Sequence, residues 1–101
     1  HYYSGILNIY SPGIVMGKIT GVDKVLNEGI ATEFYQYRLQ GAEISSDMSS
    51  GSRAGAFLIH ADSVDEIRKR VFHINEMVEV YDINGNKAMR HDVYDVWKKD
   101  N

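Results

Sequence analysis

Ser63-Val64-Asp65-Glu66-Ile67-Arg68-Lys69-Arg70-Val71-Phe72-His73-Ile74-Asn75-Glu76-Met77-Val78 is the stretch that decides the fold. Val64, Ile67, Val71, Ile74 and Val78 recur at alternating three- and four-residue steps, which places them on one stripe of a helix. Arg68, Lys69 and Arg70 mostly avoid that stripe. Ser63 followed by Glu66 matches a capping box, in which the hydroxyl accepts from the third amide and the carboxylate reaches back. Asp65 and Glu66 also complement the positive end of the helix dipole. The spacing predicts a helix over 63–77.

Strands are expected on both sides of it. Upstream, Ser52 to His60 (SRAGAFLIH) has an apolar centre. Downstream, Val78 to Ile83 (VEVYDI) alternates, and Asn84-Gly85 signals a hairpin turn, with 87–89 pairing back. Residues 91–99 (HDVYDVWKK) suit a short helix or a strand. Further back, Ile14 to Thr20 reads as a β-branched strand, and Gly17 within it allows close approach of another backbone. Val22 to Glu28 has helical spacing, and Gly29 is a natural residue just past its end. Ile30 to Leu39 is aromatic and strand-like, Gln40-Gly41 is a turn, and Ala42 to Ile44 is a short returning strand. Ser45 to Gly51 is a small, polar loop.

The order strand, helix, strand, strand, helix, strand predicts an α+β domain. The expected arrangement is ferredoxin-like βαββαβ, one antiparallel sheet with two helices on one face, plus a C-terminal hairpin or short helix. Residues 1–101 form a single domain in this reading. Residues 1–12 are an entry segment closed by the Pro12-Gly13 turn, 13–83 the core, and 84–101 a C-terminal extension.

Composition narrows the function. The formal charge is −3, so nucleic acid gains no general electrostatic help. With no cysteine there is no disulfide, thiolate metal site or Cys nucleophile. No apolar run is long enough to span a membrane. A cytoplasmic setting is expected.

Each catalytic near-match fails at a nameable residue. Gly13 to Thr20 (GIVMGKIT) is one residue short of a phosphate-binding loop and has Ile19 where Ser or Thr belongs. Asp82 to Asn86 resembles a calcium loop, but Lys87 and Val93 occupy the positions of the Gly and the bidentate Glu. His1, His60, His73 and His91 lack metal-ligand spacing. The serines at 45–52 have no nucleophile elbow around them. Arg53, Ala56, Phe57 and Leu58 fit the third strand of an RNA-recognition motif, but Gly55 replaces one of its stacking rings. No catalytic, cofactor-binding or metal-ligating residue is expected in this chain.

Pro12-Gly13, Ile14-Val15, Gly17 to Gly21, Glu28-Gly29, a strand ending at Gly41, Arg53-Ala54-Gly55 and the acid-capped helix together resemble the C-terminal domain of ATP-grasp ligases. The relatives concerned are L-amino-acid ligases and the carbamoyl-phosphate-synthase-like and biotin-carboxylase-like proteins. The likeness runs from about Gly5 to Ile83 and is strongest over Ser52 to Asp82. Such ligases make an acyl phosphate from a carboxylate and ATP, with Mg2+, and an amine then attacks it. That chemistry sits in a preceding core ending near a Glu-x-Asn-x-Arg motif, which this sequence lacks. The resemblance therefore implies a non-catalytic piece, inactive alone, packing on the ATP-grasp core of a longer parent. The opening on His1 rather than Met agrees with a piece. The implied acceptor-pocket residues are Arg53, Ser50 and Ser52, and Arg53 is best suited because its fork can hold a carboxylate or phosphate in bidentate fashion. The other reading of Arg53 is a solvated strand-start residue. The alternative function is a stand-alone small-molecule-binding module or a homodimer, with Tyr35, Tyr37 and Tyr81 as surface.

Overall fold

In the computed structural model, which describes residues 3–47, 50–95 and 97, strand β4 (Arg53–Ala61) organises the chain. It pairs antiparallel on one side with β1 (Tyr3–Tyr10) and on the other with β3 (Glu33–Gln36). A second, two-stranded sheet joins β2 (Met16–Thr20) to β5 (Glu79–Asp82). Helices α1 (Val22–Asn27) and α2 (Val64–Met77) complete the domain.

The α+β class is as expected, but the ferredoxin-like single sheet is not what forms. The difference lies in the first residues. The segment read as an entry holds Leu7 and Ile9 at period-two spacing, both buried. That period makes it a strand, and it runs the length of β4 in register from Tyr3↔Ala61 to Tyr10↔Arg53. With β3 and β1 on its two sides, β4 has no edge left for β2, which pairs with β5 instead.

Gly17 behaves as anticipated. A Cβ there would lie 2.2 Å from the Asp82 carbonyl oxygen, and the register of the β2–β5 pair shifts at that point. Ser63 caps α2, its Oγ accepting the Glu66 N–H at 3.1 Å. Glu66 does not close the capping box; its carboxylate faces Arg70 at 3.6 Å. Val71, Ile74 and Val78 of the stripe are buried and Ile67 packs against them, whereas Val64 is exposed. The core they enter includes Leu7, Ile9, Phe57 and Ile59, each burying roughly 1.5–3 kcal/mol of side-chain transfer energy. Among the described residues no helix is long and apolar enough to cross a membrane.

After Asn84-Gly85 the chain returns as expected, with Lys87 bridging Tyr81 and the Ala88 N–H donating to the Val80 carbonyl at 2.8 Å. The Asp82 carboxylate accepts the N–H groups of Asn84 and Asn86, both at 2.9 Å, which fits a turn-holding role. These bonds, that from Asn86 foremost, lower its pKa from the ordinary 3.8. A depressed carboxylate contributes stability that is present above the unfolded value and lost as pH falls through the folded one. Thermal stability should therefore fall below about pH 3.8, and Asp82→Asn should flatten that acid limb. An unchanged acid limb in the variant would remove Asp82 from this role.

Residues 90–94 then meet the outer edge of β1. The Arg90 N–H donates to the Tyr10 carbonyl at 2.8 Å, and the Tyr94 hydroxyl accepts the Asn8 N–H at 3.2 Å. His91 is held between the Glu79 carboxylate (2.8 Å) and the Asn75 carbonyl (3.0 Å). The described part of 91–99 is helical in kind, with i to i+3 bonds from Asp95 to Asp92 and from Trp97 to Tyr94. Residues 96, 98 and 99 lie outside the described set.

Candidate functional site

Alternation assigns the two faces of the three-stranded sheet. Gly5, Leu7 and Ile9, with Phe57 and Ile59 opposite them, face α2; a Cβ on Gly5 would lie 3.3 Å from Ile67. The other face carries Ser4, Ile6, Asn8 and Tyr10 of β1 beside His60, Leu58 and Ala56 of β4, then Glu33 and Tyr35 of β3. No helix of the described residues covers it in the way α2 covers the first. Ile6 is 66 % exposed, Tyr35 49 % and Tyr37, just past β3, 45 %. Ile6, Leu58 and the tyrosines thus stand beside Ser4, Asn8, His60 and Glu33, which makes this mixed face a candidate interaction surface.

Arg53 stands at one corner of this face. The register shifts between Ile9 and Tyr10, so that Tyr10 opposes Arg53 and Ala54 is the extra residue. Such a bulge re-aims the side chains beside it. Arg53 Nε donates to the Tyr10 hydroxyl at 3.4 Å, and its guanidinium carbon lies 5.9 Å from the Tyr10 ring centre. The bond to Tyr10 raises the guanidinium pKa further, so the charge is permanent. Burial likewise lifts the Tyr94 hydroxyl above the ordinary 10.0, keeping it neutral near the same corner.

The other arginines are engaged by acceptors or rings. Arg38 donates to the carbonyls of Tyr37 and Gly51, both at 3.2 Å, and Arg70 to those of Gly29 (2.9 Å) and Ile30 (3.3 Å). Arg90 pairs with Asp92 at 2.8 Å, and Arg68 lies 5.8 Å from the Trp97 ring centre. Arg53 has only neutral partners, and its terminal nitrogens meet no acceptor among the described residues. A half-exposed fork with unused donors, braced on a ring, is suited to a carboxylate or phosphate.

The other two residues expected beside Arg53 differ from it. Ser52 is fully buried, with its carbonyl accepting the Ser11 N–H at 3.0 Å, so it does not reach the exposed face. Ser50 lies in a single 3-10 turn, Ser50–Ser52, and its side chain is outside the described set. Sequence reading missed Tyr10, Ile6 and Leu58. The alternation of residues 6–10 was a legible signal, but its pairing with β4 was not. Phe57, which fits an RNA-binding strand on paper, is fully buried on the α2 side and presents no ring for stacking. Tyr81 is half-buried, with the Lys18 ammonium 5.4 Å from its ring centre.

Among the described residues no three His, Asp or Glu side chains converge as a metal site would require.

No family model matches the sequence, and no curated protein matches it. The fold is similar to a solved L-amino acid ligase from Bacillus licheniformis, at a TM-score of 0.65 and 18 % identity over 76 % of this chain. The chain spans about a fifth of that protein, 20 % of its length. At this identity the likeness is one of fold.

Proposed function

We propose that this chain is the C-terminal, non-catalytic domain of an ATP-grasp carboxylate–amine ligase. In this reading ATP and Mg2+ are bound by the parent's catalytic core, and the exposed sheet face packs on that core. The observation that carries the proposal is the fold likeness to an L-amino acid ligase combined with an uncovered, mixed sheet face. Arg53, at the corner of that face, directs its unused donors toward the acceptor-substrate pocket, where it holds a carboxylate or a phosphate oxygen.

The test is Arg53→Ala in the parent enzyme with acceptor-substrate kinetics. A charge-assisted contact contributes roughly 1.5–3 kcal/mol, so kcat/KM for the acceptor should fall about 10–100-fold. Arg53→Lys should restore only part of it, because an ammonium lacks the planar fork. Unchanged acceptor kinetics in both variants would leave Arg53 as a solvated strand-start residue.

A further inference from the structure

The two edges of the three-stranded sheet are treated differently. The β1 edge is met by residues 90–94 at its Asn8–Tyr10 end, through the Arg90 and Tyr94 bonds described above. Among the described residues the β3 edge is open. The Tyr37 N–H donates to the Ala54 carbonyl at 3.0 Å, which sets the phase of the β3–β4 ladder. Glu33, Tyr35 and Tyr37 therefore bond inward, and the N–H and C=O groups of Phe34 and Gln36 point outward. Those groups have no hydrogen-bond partner among the described residues. Glu33, Tyr35 and Gln36 are all exposed.

We infer that this edge is a self-association surface whose occupant is a second copy of the chain, joined β3 to β3 antiparallel about a two-fold axis. This goes beyond the ligase reading and does not depend on it. The edge is self-complementary. Only outward-facing residues can pair, and setting Phe34 opposite the second copy's Gln36 uses both outward residues of each strand. Each such pair exchanges two backbone bonds, so the outward donors and acceptors are satisfied together. Tyr35 then meets its own copy on the axis, on the exposed face, and Glu33 lies across from Tyr37. An aromatic pair at the centre of a non-bonded position is favourable. The joined sheets form one continuous exposed face. Both copies contribute the same patch, as a closed two-fold contact requires.

A four-residue edge makes a small contact, so the association is weak and concentration-dependent. Sedimentation equilibrium of the 101-residue chain tests it. The weight-average mass should climb from one chain toward two between roughly 10 μM and 1 mM. Gln36→Pro removes an outward N–H and leaves the β3–β4 ladder intact, since that N–H is not part of it. Tyr35→Lys sets like charges against each other on the axis. Both variants should stay at the mass of one chain over the same range. Folding of each is checked by circular dichroism, and either folded variant suffices. A wild-type chain that stays single throughout overturns the inference, as does a pair that persists in a folded variant.

Discussion

Alanine in place of Gly21 is expected to cost about 3–5 kcal/mol, a large part of a total stability on the order of 5–15 kcal/mol. Gly21 joins the end of β2 to the start of α1, and its carbonyl accepts the first helical bond, from the Val25 N–H at 3.1 Å. It does so at φ +89°, in the left-handed region. A side chain there costs ~1–2 kcal/mol for the backbone conformation alone. The larger part is contact, because a Cβ at Gly21 would lie 2.1 Å from the Met77 carbonyl oxygen. That oxygen belongs to the last turn of α2, so relieving the overlap means separating α1 from α2. Gly29 supplies the control. Its φ is +72°, but a Cβ there would meet nothing within 4 Å, so Gly29→Ala should cost only about 1 kcal/mol. Urea unfolding of both variants separates backbone strain from collision. Equal losses would show that the approach of the Met77 carbonyl contributes nothing.

Much of this fold was legible in the sequence wherever local chemistry set the outcome. Ser63 with the 67–78 stripe gave α2, and Asn84-Gly85 gave the hairpin, because capping and turn geometry are local. Gly17 announced a close backbone approach for the same reason. The sheet arrangement was not legible. Leu7 and Ile9 mark a strand, but nothing local says that it pairs with β4 nearly fifty positions on rather than leaving that edge to β2. Strand pairing is a competition among distant partners, and β1 wins it with eight residues against the five of β2. The site followed the same division. Arg53 was recognisable from its chemistry, while Tyr10, which braces it, came into reach only through the β1–β4 register. Ser52 was expected to open the strand and line the acceptor pocket beside Arg53, yet the turn before β4 carries it into the interior.

The central claim is that the exposed sheet face docks on a catalytic core, and Ile6 reads it most directly. Ile6 is 66 % exposed here, so Ile6→Lys should change the stability of this chain by no more than about 0.5 kcal/mol. In the parent ligase the same lysine would be buried without a partner, at a cost of several kcal/mol. The measurement is ligase turnover of the parent carrying Ile6→Lys, beside Val64→Lys, which is exposed on the helix side, as the control. The expected result is a loss of at least roughly 10-fold for Ile6→Lys and none for Val64→Lys. Full activity in the Ile6 variant would mean that this face is not the one that meets the core.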